Sequence, residues 1–227
     1  MVVLCNVSNL YFDLAYEKHP EEIGYYWGGF VDTRKAWEFT PLNLYQALES
    51  DLMGRPIAPE RYRDAARLTV EGKDRILGIQ GQLWSENAVD SERLQYLLVP
   101  KLIGLAERAW APRPAWAGES RGPERIQARE EAWNRFANGL GQRELARLDR
   151  LAGEVSYRIP PPGAAVEDGK LLANVSFPGL AIRYTLDGSE PTADSTLYSE
   201  PVELNGSTAR LRTFSSTGRG SRVVTVE

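Results

Sequence analysis

Two short runs alternate polar and aromatic side chains with a period of two. Asn9, Tyr11 and Asp13 follow the β-branched opening at residues 2–7, and Gln80, Gln82, Trp84 and Glu86 follow a short apolar run at 76–79. In extended chain every second side chain points to one face, so each run predicts a convergent row. Between them lies Gly24-Tyr25-Tyr26-Trp27-Gly28-Gly29. Two carboxylates (Asp13, Glu86), a phenol (Tyr11) and two indoles (Trp27, Trp84) suit a carbohydrate. Pyranose rings offer apolar C–H faces to aromatics and hydroxyls to carboxylates, in a concave apolar site with a few orienting polar groups. Taken singly, core or rim packing is the simpler reading of each indole, and a solvated surface the simpler reading of each carboxylate. The shared period at both strand ends favours a site.

Composition removes several other chemistries. The chain has 227 residues, a net charge of −4 and 42% apolar residues, ordinary for a globular protein with one or two domains. The acidic balance argues against nucleic acid as a partner. A single cysteine, Cys5, forms no disulfide within the chain. With one histidine besides, it cannot supply the ligands of a structural zinc site. His19 lies in the charged loop Glu17-Lys-His-Pro-Glu-Glu22, a poor setting for a catalytic base. Nothing in the sequence calls for a cofactor. No apolar run reaches the ~18 residues of a membrane span, and Met1 runs into Val-Val-Leu-Cys without the basic start of a signal peptide.

The elements that must position these residues change character near residue 155. Before it, a strand at 2–7 and a strand at 76–79 alternate with helical patterns. Thr40-Pro41 reads as an N-cap and first turn, with Leu44, Ala47, Leu48 and Leu52 as its stripe and Gly54 as its stop. A second short helix is expected from Pro59 to Leu68, and a long one from Ser91 that Pro100 should kink. Pro123 to Leu140 should turn Ile126, Trp133, Phe136 and Leu140 inward, and residues 142–151 should form another helix. After the rigid Pro160-Pro161-Pro162-Gly163 linker, strands are expected at 171–177, 181–186, 201–205, 209–215 and 222–226. Asp187-Gly188 marks a turn between two of them. Residues 1–154 therefore read as α/β and 155–227 as a small all-β sandwich. A complete (β/α)8 barrel takes ~250 residues, so the first part is either a small irregular domain or the end of a larger barrel.

Four motifs decide between these. Asn9-Leu-Tyr-Phe-Asp13, Gly24-Tyr-Tyr-Trp-Gly-Gly29, Gly78-Ile-Gln-Gly-Gln-Leu-Trp-Ser-Glu86 and Pro100-Lys-Leu-Ile-Gly-Leu-Ala-Glu-Arg-Ala-Trp110 occur in an order and spacing that resembles the C-terminal part of the catalytic barrel of glycoside hydrolase family 20. This is the family of β-N-acetylhexosaminidases and chitobiases. Residues 155–227 look like the β-sandwich, immunoglobulin-like, that often closes its bacterial members, through Arg183-Tyr-Thr-Leu-Asp-Gly-Ser-Glu-Pro191 and Leu197-Tyr-Ser-Glu-Pro201. The resemblance implies a partial TIM-type barrel, with the last strands and helices only. It implies substrate-assisted retaining hydrolysis of terminal N-acetylhexosamine from chitooligosaccharides or glycoconjugates, an exception to the two-carboxylate scheme. Tyr11 then resembles the tyrosine that holds the acetamido oxygen, Asp13 and Glu86 the carboxylates that bind sugar hydroxyls, and Trp84 and Trp27 the walls of the subsite. Glu107 and Arg108 are expected as a structural ion pair and Trp110 as core. Members of the family are typically exported.

One departure matters. The family's acid machinery is an adjacent Asp-Glu pair, and none of the ten aspartates here is followed by glutamate. The expectation is a hexosaminidase fragment, inactive alone, whose partner would be the missing N-terminal half of the barrel. Open strand edges further predict self-association. The alternative is a non-catalytic glycan-binding or structural module, with Tyr184 and Tyr198 as a platform; sandwich core is the simpler reading of both.

Overall fold

The β-branched opening of the chain forms strand β1, Val2–Leu4, in a computed structural model that describes residues 1–46, 48–51, 55–118, 122–151 and 155–227. The chain makes two compact units, Met1–Arg129 and Glu130–Glu227. No described helix is long and apolar enough to cross a membrane.

In the first unit, β1 is followed by one helical turn, α1 (Val7–Leu10), and by α2 (Thr33–Glu38), whose first turn Asp32 caps by accepting from Lys35 N at 2.8 Å. A short helix α3 (Val70–Asp74) then leads into β2 (Ile76–Ile79), which pairs with β1 in parallel. This is the arrangement of neighbouring strands in an α/β sheet. Phe12, Leu14, Val31 and Ala36 form the buried centre, with Leu83, Leu98 and Leu105 against it.

Several expected helices are altered. The Thr40 hydroxyl donates to Asn43 O at 2.7 Å and closes a turn, so it caps no helix; a 3-10 turn at Leu44–Gln46 stands there instead. Ala47, Leu52 and Gly54 lie outside the described residues. From Pro59 only a 3-10 turn to Tyr62 forms, because the charged residues after it leave no apolar stripe to bury. Pro100 does more than kink its helix. Lacking an N–H, it splits the pattern into α4 (Ser91–Leu98) and α5 (Lys101–Trp110).

The most buried positions of α5 carry no leucine. Lys101, Gly104 and Arg108, spaced i, i+3 and i+7, turn inward. A Cβ on Gly104 would lie 2.7 Å from Thr33 O, so this glycine admits the close approach of α2. Arg108 lies over the Trp116 ring, 5.4 Å from its centroid, rather than in an ion pair with Glu107. Trp110 is 89% exposed, not core. Leu102 on the same helix and Val2, Val3 and Leu77 on the two strands are also exposed. The helix α6 (Pro123–Gly139) shows a similar exchange near its start. Ile126 is exposed and Arg125 is buried, donating to Trp116 O at 2.8 Å and pairing with Glu49.

In the second unit the end of α6 widens into π-helical turns at Leu140–Leu145 and closes with α7, Ala146–Leu148. Trp133 packs against Phe136 and Phe177. Two antiparallel sheets follow. One has β3 (Gly163–Glu167), β4 (Lys170–Asn174) and β7 (Val202–Glu203); the other has the order β6 (Thr196–Leu197), β5 (Ala181–Thr185), β8 (Ala209–Phe214), β9 (Val224–Val226). Leu171, Ile182, Leu204, Ala209 and Leu211 form their common core. Strand β3 has no counterpart among the expected strands, since a run of small residues directly after prolines carries little β signal. The expected turn at Asp187-Gly188 is present, with Gly188 at φ +81°. Asp149 links this unit's helical and β parts: it accepts from Tyr157 Oη (2.9 Å), Ser216 N (3.1 Å), Ser216 Oγ (2.6 Å) and Arg219 (3.4 Å). Burial, and then Asp149, push the Tyr157 phenol well above its ordinary pKa. Tyr184 and Tyr198 pack on the sandwich core, and Ala173 N donates to Tyr198 Oη at 2.9 Å.

Candidate functional site

The pairing of β1 with β2 is interrupted and then resumes. Gln80 N donates to Leu4 O at 2.9 Å; the chain then spends one turn in α1; then Gln82 N donates to Leu10 O (2.8 Å) and Phe12 N to Gln82 O (2.6 Å). On the opposite edge Tyr25 N donates to Asp13 O (2.9 Å) and Ala15 N to Tyr25 O (2.7 Å). Residues 11–15 thus form a rib between Gln82 and Tyr25 that turns at Phe12–Asp13, where Leu14 N donates to Tyr11 O at 3.4 Å. The approach of Tyr25 depends on Gly24, which sits at φ +123° and whose Cβ, if present, would lie 2.6 Å from Ala15 N.

This frame brings the aromatic residues together. The Tyr11 ring stands edge-on between two indoles, with centroids 6.1 Å from Trp27 and 6.3 Å from Trp84. Trp27 is 62% exposed and Trp84 49%. Both therefore present ring surface to solvent that a packed core would have taken up.

Asp13 lies beside them, 1% exposed, and its Oδ1 has no hydrogen-bond partner. Such a group costs free energy unless something satisfies it. Burial raises the Asp13 pKa above its ordinary value. The charge of Glu86 raises it further, whereas main-chain N–H groups and the Lys101 ammonium pull it down without cancelling the effect of burial. The structure thus brings Tyr11, Asp13, Trp27, Trp84 and Glu86 into one neighbourhood. Asn9 does not join them. The turn α1 resets the alternation, and Asn9 is buried elsewhere, donating from Nδ2 to Lys35 O at 2.9 Å.

Lys101 is a neighbour that sequence reading missed. It is fully buried, with Nζ 2.9 Å from Phe12 O and 2.6 Å from Leu14 O. The signal available was its register with Gly104 and Arg108, the three standing one, four and eight residues after Pro100 as a polar and small face within an apolar helix. A separate cavity of about 750 Å³, lined among others by Tyr45, Tyr62, Arg67 and Lys73, includes none of the five predicted residues. Among the described residues no group of three or more His, Cys, Asp or Glu could hold a metal.

Residues 1–113 match the family model described as the glycosyl hydrolase family 20 catalytic domain, and residues 144–223 that of the chitobiase/beta-hexosaminidase C-terminal domain. The chain is 38% identical to the N,N'-diacetylchitobiase of Vibrio harveyi over 82% of its own length and 21% of that protein. It is 34% identical to a beta-hexosaminidase of Vibrio vulnificus over 92% of its length and 27% of that protein. The chain thus spans about a fifth to a quarter of these relatives. A crystal structure of an exo beta-N-acetylglucosaminidase from Vibrio harveyi, in complex with N-acetylglucosamine, aligns with 66% of the chain and 18% of its own, at 22% identity and a TM-score of 0.35.

Proposed function

Since the chain belongs to glycoside hydrolase family 20, we propose that residues 1–154 carry part of the terminal-sugar subsite of a β-N-acetylhexosaminidase, and residues 155–227 its C-terminal sandwich. The observation that carries this reading is the meeting of Tyr11 with Trp27 and Trp84 beside Asp13 and Glu86. The indoles offer apolar walls to an N-acetylglucosamine ring. Asp13 and Glu86 bind its hydroxyls, and the unsatisfied Oδ1 of Asp13 takes one of those hydrogen bonds. The Tyr11 hydroxyl donates to the acetamido oxygen.

In the reaction proposed, that oxygen attacks the anomeric carbon as the glycosidic C–O bond breaks, forming an oxazolinium ring. Water then adds at the anomeric carbon and the ring opens, with retention. The departing oxygen needs a proton, and the Asp-Glu pair that would provide it is absent from the sequence. General acid catalysis is worth ~10²–10⁴-fold, so this chain alone binds sugar without useful turnover. The exposed Val2, Val3, Leu77, Leu102 and Trp110 offer apolar surface suited to packing further barrel strands and helices.

The test is calorimetric titration with N-acetylglucosamine, beside hydrolysis of an aryl N-acetyl-β-glucosaminide with a very good leaving group. Saturable binding without turnover is expected. Absence of heat at millimolar sugar overturns the subsite reading; turnover lost in Tyr11→Phe overturns the claim of inactivity. For the sandwich a structural role is favoured over sugar binding, because Tyr198 spends its hydroxyl on Ala173 N and its ring on the core.

A further inference from the structure

We propose that Lys101 is a positioning residue: its ammonium locks the main chain on both sides of Asp13 and thereby aims Asp13, and with it the neighbouring Tyr11, into the sugar subsite. The proposal rests on the reading of Asp13 and Tyr11 as subsite residues.

A lysine is almost never fully buried without partners, because stripping water from an ammonium costs several kcal/mol. The compensation here is directed at one segment. Nζ donates to Phe12 O and Leu14 O at 2.9 and 2.6 Å, and lies 3.9 Å from the centroid of the Tyr16 ring. These carbonyls flank Asp13.

The need for them follows from the sheet. On the Gln82 edge of the rib, Leu10 O and Phe12 N are taken by Gln82. A neighbouring strand would supply donors to Phe12 O and Leu14 O, but the rib turns at Phe12–Asp13, and among the described residues no main-chain N–H donates to either carbonyl. After Trp84 the chain bends into a 3-10 turn at Ser85–Asn87. Buried carbonyls left without donors are costly, and the Lys101 ammonium, with three donors, substitutes for the missing strand. Asp13 O is meanwhile held from the other edge by Tyr25 N. With the peptide groups on both sides of its Cα fixed, the direction of the Asp13 side chain is fixed as well, the kind of support that a precise site requires. The close approach of α5 allowed by Gly104 brings Lys101 within reach.

The same ammonium also acts on the charge of Asp13. Two ionisable side chains act on that carboxylate: Glu86 from the 3-10 turn and Lys101 from α5. Lys101 is the cationic one, so it opposes both burial and Glu86 in keeping Asp13 ionised.

The experiment follows the Asp13 carboxyl resonance of the full chain by carbon NMR across pH, assigned by its loss in Asp13→Asn, in the parent and in Lys101→Met, Lys101→Gln and Lys101→Arg. Lys101→Met and Lys101→Gln should move the Asp13 titration midpoint upward and shift the amide resonances of residues 12–15; Lys101→Arg should restore the midpoint. N-acetylglucosamine affinity should fall about tenfold in Lys101→Met and recover in Lys101→Arg. Should Lys101→Met not fold, Lys101→Gln, which keeps donors for the carbonyls, carries the comparison. An unchanged midpoint in a folded neutral variant overturns the proposal. Failure of the parent chain to bind sugar overturns the subsite reading alone and leaves the titration to decide the role of Lys101.

Discussion

Tyr11 and Trp84 meet with ring centroids 6.3 Å apart and planes at 60°, across the point where Tyr11 pairs with Gln82. Each ring is placed by a different strand extension, so the contact reports the register of the rib. Edge-to-face pairs contribute about 0.5–1.5 kcal/mol beyond the area they bury. Trp84→Ala should therefore weaken N-acetylglucosamine binding roughly two- to twelvefold. Tyr11→Phe, which removes one hydroxyl donor and keeps the ring, should cost about 1 kcal/mol, roughly fivefold in Kd. Calorimetric titration of both variants checks this; parental affinity in both would refute the assignment.

The raised pKa of Asp13 has a consequence for stability. A carboxyl whose folded pKa exceeds its unfolded value binds more protons in the folded state between the two values. Stability therefore falls as pH rises from the ordinary value of 3.8 through the folded one, and the penalty is complete above it. Asp13→Asn mimics the neutral form. It should be at least as stable as the parent at pH 7, lose this part of the pH dependence, and bind sugar less well. Urea unfolding at pH 4 and pH 7 provides the comparison, and a large loss of stability at pH 7 would contradict it.

Asp149 receives four donors from one phenol, one serine and one arginine. Asp149→Ala leaves the buried Tyr157 hydroxyl and the Ser216 groups without an acceptor, and should cost about 3 kcal/mol. Tyr157→Phe removes one hydrogen bond and should cost about 1–2 kcal/mol. Thermal unfolding followed by circular dichroism should rank them in that order; the reverse order would show that the aspartate is not the hub.

Strands β1 and β2 have no other partners among the described residues, and exposed Val2, Val3 and Leu77 lie on them. Open apolar edges recruit other strands. The chain should self-associate at micromolar concentration, and Val3→Lys with Leu77→Lys should reduce this. Light scattering that finds a monodisperse monomer for the parent would count against it.

Much of this was legible in residue types. Of the strand expected at 2–7 only Val2–Leu4 forms, and it pairs in parallel with the expected strand at 76–79; Pro100 interrupts its helix, and Tyr11 stands beside Trp84 with Asp13 within electrostatic reach of Glu86. The failures share a cause: local pattern was read where a distant partner decides. Thr40 looked like a cap until its hydroxyl turned to Asn43 O. Ile126 looked inward until Arg125 took that place for Glu49. Asn9 dropped out because one turn of helix shifts the alternation. Lys101 was invisible because a lysine in a helix reads as solvated, and only the two carbonyls of the rib show otherwise.

Gly24 bears on how freely this site can vary. Every other amino acid carries a Cβ, and at this position that atom would meet Ala15 N at 2.6 Å in a backbone conformation L-residues avoid. Tyr25 is the next residue, and Trp27 follows two later. One absent methyl group therefore sets the standing place of an aromatic wall, and no single amino-acid replacement at 24 leaves that wall where it is. Variation that retunes the pocket must come through the wall's own side chains, because the backbone beneath them has no neighbouring sequence to move through.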